Sequence, residues 1–192
     1  MKEKAMIEKI RSYVPYNEQE EKDREILLWA LTHHGKECFS RENLAMHFSA
    51  SAWITDESRK KVLMAYHSLY DAWAWTGGHA DGETDLLSVA IREAHEETGV
   101  TARALSSDIF SIEVLNVDGH EKRGQYVPTH LHLNVTYLLE ADSRAPLRVK
   151  EDENKAVRWF TLEEALENCS EPWMVQRVYS KLNEKLRRFI KE

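Results

Sequence analysis

The sequence predicts an α/β sandwich built on a mixed β-sheet, preceded by a small helical segment. Three observations carry that reading. From about residue 47 onward, short β-rich runs are interleaved with helical stretches. Residues 130–137 alternate between polar and apolar, the period of a strand. Residues 85–98 set apolar side chains at helical spacing and end in glycine.

The elements follow in order. Pro15 ends a short first helix, because proline lacks the amide a helix interior needs. Asn17 with Glu20 resembles a capping box ahead of EEKDREILLWALTHH, and Gly35 is the stop. The apolar set Ile26, Leu27, Trp29, Ala30 and Leu31 is expected to pack on the main body; a lid or homodimer contact is the other use of such a face. The division expected is therefore 1–46, a helical segment packed on the core, and 47–192, the main domain with its C-terminal helix. SASAWIT and KKVLMAYH, separated by Asp56–Lys60, read as a hairpin, and DAWAWTGG as a third short run. In the helix over 85–98 the apolar stripe is Leu87, Ala90 or Ile91, and Ala94. IFSIEVLNV and THLHLNVTYLLEA are strands; the second sets Leu131, Leu133, Val135 and Tyr137 against His130, His132, Asn134 and Thr136. Between them, 118–128 reads as a polar loop. AVRWF is a strand, Thr161 and Glu164 cap a short helix, and Ser170 with Pro172 opens a last helix ending near Lys191.

Composition narrows the function classes. Hydrophobic residues are 42% and charged residues 31% of the 192, as in a folded soluble chain. A net charge of −7 disfavours a long nucleic-acid partner, though not a small anion held through a metal. Two isolated cysteines, Cys38 and Cys169, have no zinc-ligand spacing and fit a reducing cytoplasm. The first residues lack a signal-peptide core, and no apolar run is long enough to span a membrane.

The chemistry-bearing stretch is GGHADGETDLLSVAIREAHEETGV, residues 77–100. Glu93, Glu96 and Glu97 fall at i, i+3 and i+4, so their carboxylates share one helix face. Three like charges there repel; a hard divalent cation relieves the repulsion and bridges phosphate oxygens. Arg92, four residues before Glu96, can orient it. A solvated acidic face is the other reading of the glutamates alone, but the flanking glycines add a strand–loop–helix context.

This segment resembles the Nudix box, G-x5-E-x7-R-E-U-x-E-E-x-G-U with U a bulky aliphatic residue. Gly78, Arg92, Glu93, Glu96, Glu97, Gly99 and Val100 match at the required spacing. Two positions depart: Thr84 stands at the early glutamate, flanked by Glu83 and Asp85, and small Ala94 stands at the first U. The order of elements over 47–170 is also similar to the Nudix fold, so the resemblance implies an α/β/α sandwich.

The resemblance further implies hydrolysis of a diphosphate linkage in a small nucleoside-diphosphate-X substrate by water attack on phosphorus, with Mg²⁺ or Mn²⁺ as cofactor. It gives Glu93, Glu96, Glu97 and the carbonyl of Gly77 to the metal. It gives Glu153, six residues before Trp159, the place of a metal ligand or general base, with the base alternatively a box glutamate; Glu151 and Asp152 beside it leave a plain acidic loop open. Arg92 is implied as a positioner of Glu96. The marker residues that distinguish some subfamilies are absent from EVLNVDG, so no substrate is named.

Weaker candidates complete the set. Trp73 could stack on a base or fill the sheet core, and His79 could touch a phosphate or cap its loop. Lys122 and Arg123 could reach phosphates from their loop. His130 and His132 form an H-x-H that can bind a transition metal, but no third ligand is visible, so a polar pocket wall or solvent face is expected. Two other functions compete with hydrolysis. A prenyl diphosphate isomerase of this superfamily needs a cysteine before the box, and none lies from 39 through 168. A non-catalytic nucleotide sensor usually carries a broken box and an added DNA-binding domain, whereas this box is nearly whole.

Overall fold

The chain begins with helix α1 (Lys2–Ser12) and helix α2 (Glu18–His34). They belong to a computed structural model that describes residues 2–122 and 124–190. Asn17 caps α2 through its side chain, which accepts from the Glu20 amide at 3.0 Å. The reciprocal half of the expected capping box is not made, because Glu20 turns elsewhere. Its carboxylate takes the Tyr16 amide at 2.7 Å and the Tyr13 hydroxyl at 2.5 Å. Gly35 ends α2 with φ 53°, where its amide reaches back to the Leu31 carbonyl.

Strands β1 (Met46–Thr55) and β2 (Lys61–His67) form the expected hairpin, with Ile54 opposite Leu63. Asp56 holds its turn by accepting the amides of Lys60 and Lys61, each at 2.9 Å. Then come β3 (Ala72–Ala74), β4 (Thr76–His79) and helix α3 (Leu86–Thr98). β5 (Arg103–Ala104) and β6 (Ser111–Val117) follow. The stretch expected as a polar loop is instead a small hairpin, β7 (His120–Lys122) with β8 (Gln125–Val127). β9 (His130–Glu140) and β10 (Asn154–Thr161) complete the strands.

Pairing joins β10, β2, β1, β9 and β5 in that order, with β3 on β2, β4 on β1 and β6 on β9. β2 is antiparallel to both β1 and β10, and β6 is antiparallel to β9. The Leu131 amide donates to Ala45, and ten residues later the Ala141 amide donates to Thr55. Equal steps on both strands mean that β1 and β9 run the same way, so the sheet is mixed.

Two compact units share these elements. One gathers the chain up to Ser51 with Gly78–Val89 and Asp108–Tyr137. In it α2 packs on β6, with Leu27, Ala30 and Leu31 buried, while Trp29 keeps 48% of its surface. On the polar face of β9, Asn134 and Thr136 are buried. Burying an amide without partners costs about 1–3 kcal/mol, so each valence of Asn134 is met. Its oxygen accepts from Ser49 and Ser51, and its nitrogen donates to Glu113 and Thr136. The Ser111 hydroxyl lies 2.8 Å from Glu20 and 2.5 Å from Glu113.

The other unit gathers Ala52–Gly77, Ala90–Ser107 and the chain from Leu138 onward. Its core stacks Trp53 on Tyr179 at 5.4 Å and buries Leu63, Met64 and Phe160. Each fully buried side chain of this size contributes about 1.5–3 kcal/mol. Thr161 and Glu164 make the full capping box of α4 (Leu162–Asn168). The last helix, α5, opens one residue later than expected, with Glu171 before Pro172. It runs through Pro172–Met174, a π turn over Val175–Tyr179, and Ser180–Phe189.

In α3 the buried stripe is Leu86, Val89, Ala90 and Ala94; Ala90 and Ala94 are where the spacing put them, while Leu87 is only half-buried and Leu86 takes its place. Gly99 closes α3 with φ 78°, its amide bonding His95 at 2.8 Å. A Cβ there would meet the Arg148 Cβ at 2.9 Å. Gly99→Ala is therefore expected to destabilise the protein by more than about 1 kcal/mol, as left-handed strain and overlap add. Urea unfolding checks this, and an unchanged midpoint would count against the geometry.

Candidate active site: a carboxylate cluster on helix α3

The C-terminal half of α3 presents its glutamates toward the turn before β10 and the glycines of β4. Glu97 is the innermost, buried like the apolar positions of the stripe. A buried carboxylate needs donors, and it has two. The Gly77 amide donates to Oε1 at 2.8 Å, and Asn154 Nδ2 donates to Oε2 at 3.0 Å. Those bonds only partly offset desolvation. Burial, reinforced by the charges of Glu93 and Glu153, pushes the Glu97 carboxyl up to about 7.

Glu93 lies on the same face with 13% of its side chain exposed, and its burial raises it too. Glu96 is more open, at 44%. Arg92 was expected to orient Glu96; it lies nearer Glu93, with Nη2 at 3.1 Å, while its Nε is 3.8 Å from Glu96. The opposing wall is the turn ahead of β10. Glu151 and Asp152 face outward there, whereas Glu153 is drawn in. Lys150 holds it, with Nζ 2.9 Å from Glu153 and 3.6 Å from Glu96. Partial burial opposes the charge on Lys150, but Glu153, Glu93 and Glu96 together keep its ammonium above the usual lysine value.

Gly77, Arg92, Glu93, Glu96, Glu97 and Glu153 thus come together in one unit. Their donor set is carboxylate oxygen, the chemistry of a hard divalent ion. Asn154 Oδ1 is a further buried oxygen without a hydrogen-bond partner among the described residues. The sequence had not pointed to Lys150 or Asn154. The only signal was local: Lys150 stands three residues before Glu153.

The remaining candidates fall elsewhere. Trp73 is half-buried and packed edge-on against Phe160 at 4.8 Å and Tyr66 at 5.3 Å. His79 belongs to the other unit, in a group of histidines. Lys122 is the last residue of β7, and Arg123 lies outside the described residues. The acidic neighbours of Thr84 serve the start of α3. Glu83 accepts the amides of Thr84 and Asp85, and Asp85 accepts the Ser88 hydroxyl.

Comparison with known proteins identifies the family. A family model described as NUDIX domain matches residues 45–181. The chain is 27% identical over 139 residues to the Probable DHNTP pyrophosphohydrolase of Lactococcus lactis subsp. cremoris, covering 72% of this chain and 80% of that protein. It is 34% identical over 96 residues to the asymmetrical bis(5'-nucleosyl)-tetraphosphatase of Mus musculus, covering 48% of this chain and 58% of that one. Among solved structures, a C. elegans Ap4A hydrolase binary complex superposes with TM-score 0.54 at 21% identity, over 75% of this chain and 97% of the other. A NUDIX-family hydrolase from Clostridium perfringens gives TM-score 0.50 at 20% identity, over 74% and 97%. At such identity the solved structures speak for the fold, while the family match spans most of the chain. The chain belongs to the NUDIX domain family and is a Nudix hydrolase.

Proposed function

We propose that this hydrolase depends on Mg²⁺, with Mn²⁺ as a substitute, and cleaves the diphosphate linkage of a small nucleoside-diphosphate-X substrate. The observation that carries the reading is the convergence of Glu93, Glu96, Glu97 and Glu153, one of them buried and inclined to hold a proton. Such a group of carboxylates is unfavourable alone and becomes favourable around a divalent cation. When bound, the metal supplies charge neutralisation of the diphosphate and a more acidic water.

The residues divide the remaining work. Glu93, Glu96 and Glu97 are the proposed ligands, with the Gly77 carbonyl beside them. The Gly77 and Asn154 amides fix both oxygens of Glu97, so that the carboxylate meets its ligand preorganised. Arg92 positions Glu93 and Glu96. Glu153 stands across the cluster to accept a proton from the attacking water, or a box glutamate does so in its place. Residues 47–192 form the proposed catalytic domain, with 1–46 appended. A reducing cytoplasm suits Cys38 and Cys169, both buried thiols. Among the described residues no helix is long and apolar enough to cross a membrane.

Both curated relatives are named for cleaving phosphate chains, so DHNTP and dinucleoside polyphosphates lead the substrate panel, followed by nucleoside triphosphates, nucleotide sugars, ADP-ribose and capped RNA. Hydrolysis of at least one member is expected to stop with chelator and return with Mg²⁺ or Mn²⁺. Chelator-resistant turnover of every substrate cleaved would overturn the metal mechanism. Metal-dependent nucleotide binding with no turnover of any would favour a sensor.

A further inference from the structure

The second cluster of ligating side chains shares no residue with the carboxylates. β1, β4 and β9 each send histidines to one place: His47, His79, His130 and His132. His47, Ser49 and Ser51 alternate along β1, and the two serines bond Asn134, which alternates with His130 and His132 on β9. The histidines therefore continue the buried polar face described above, with one difference. The Asn134 network is satisfied, while His47 Nε2 has no hydrogen-bond partner among the described residues, and His130 and His132 share one hydrogen bond through their Nε2 atoms.

Hydrogen bonds fix which nitrogen two of the rings turn to the cluster. His130 Nδ1 lies 2.8 Å from the Pro128 carbonyl, and His47 Nδ1 lies 3.1 Å from the Asn43 carbonyl. A carbonyl can only accept, so both Nδ1 atoms carry a proton, and Nε2 is the atom each ring can offer to a metal. His47 is 4% exposed, and its Nε2 is buried without a hydrogen-bond partner among the described residues. His130 Nε2 and His132 Nε2 are 3.2 Å apart. Nitrogens around a tetrahedral zinc stand about 3.3 Å apart. One ligand atom from each of His47, His130 and His132 lies within 4.8 Å of the others. The bond from the far ring nitrogen to a backbone carbonyl is the usual support of a metal-binding imidazole.

We propose that His47, His130 and His132 form a binding site for one first-row transition-metal ion of the zinc type, with an open fourth position beside the His79 ring. Imidazole ligands select such an ion over Mg²⁺, which prefers oxygen. Burial, with His79, His47 and His130 around it, pushes His132 down to about 2. His47 is likewise lowered by burial. The ring of His79 is centred 5.2 Å from His47 and 4.9 Å from His132, close enough to shape the fourth position. The site is distinct from the proposed Mg²⁺ cluster and does not depend on it.

The test uses the full chain, stripped of metal and titrated with Zn²⁺ by calorimetry and with Co²⁺ by visible absorption. One equivalent is expected to bind at the histidines, beyond any that the carboxylates take, and to give d–d bands of a low-coordinate cobalt–imidazole centre. In the wild-type Co²⁺ form, hyperfine-shifted exchangeable ring protons are expected from the Nδ1–H groups of His47 and His130; this readout needs no variant. His130→Gln and His132→Gln should each weaken Zn²⁺ binding by at least about 100-fold, while Glu97→Gln leaves it unchanged. The proposal is overturned if the wild-type chain takes up no stoichiometric Zn²⁺ or Co²⁺, or if no shifted ring protons appear. It also fails if the His130→Gln/His132→Gln double variant binds as tightly as wild type.

Discussion

Glu97→Gln is expected to lower kcat by at least about 100-fold, the size of effect seen when one main electrostatic element leaves an active site. The substitution keeps the shape. Asn154, whose Oδ1 lacks a partner, can turn its amide over to accept from the new Gln Nε2, and the Gly77 amide keeps its acceptor. Only the charge is lost. Steady-state kinetics at saturating Mg²⁺ read the loss, and a fall below about tenfold would sink the assignment of Glu97 to the metal. The same variant has a second readout with opposite sign. Burial raises Glu97 in the folded state from 4.5 to about 7. Between those values the native protein holds more protons than the unfolded chain, so metal-free stability declines as pH rises through that window. Glu97→Gln removes that decline. At pH above about 7 without metal it should be the more stable form, by of order 1–3 kcal/mol, visible as a higher Tm. Mg²⁺ should narrow the difference by stabilising the wild type alone. A metal-free variant that melts below wild type would contradict this account of the buried charge.

Glu153→Gln is expected to cost kcat about 10²–10⁴-fold and to alter the acidic limb of the pH–rate profile, as for removal of a general base. The alternative has a different signature. A small loss with an unchanged profile makes Glu153 an outer ligand and moves the base to α3, at Glu96 or Glu97. Folding should hardly notice, because the Lys150–Glu153 pair is partly exposed and such pairs contribute about 0–1 kcal/mol. Glu151→Gln is the control. Its side chain faces outward, so it should keep full activity. Abolition there, with Glu153→Gln unaffected, would mean that the sequence alignment of this turn is off by two residues.

What could be read in advance was what a single element encodes. The face shared by Glu93, Glu96 and Glu97 follows from helical spacing alone, as do the Thr161–Glu164 cap and the β1–β2 hairpin. Ala90 and Ala94 of the α3 stripe follow from the same spacing, but its first leucine does not, because Leu86 and Leu87 are both apolar and only packing chooses between them. Alternation in β9 separated two faces but could not say that both would be buried; that depends on Glu113 of β6 and Ser49 and Ser51 of β1 arriving to satisfy Asn134. The third histidine was out of reach for the same reason. His47 lies far ahead of His130 in sequence, and parallel pairing of β1 with β9 is what brings them together. Lys150 is invisible as a site residue until the turn before β10 is seen to fold back on α3. The π turn in α5 has no periodic signature that would reveal it.

The bond from α2 to β6 changes where this protein can be said to begin. Likeness to the family starts at residue 45, beyond the end of α2. Yet Glu20, on α2, reaches the Ser111 hydroxyl that also meets Glu113, and all three side chains are buried. Ancestry and folding therefore draw different borders on one chain. Trimmed to the inherited span, the polypeptide would keep every glutamate of the box but uncover an ionisable seam that the two leading helices seal.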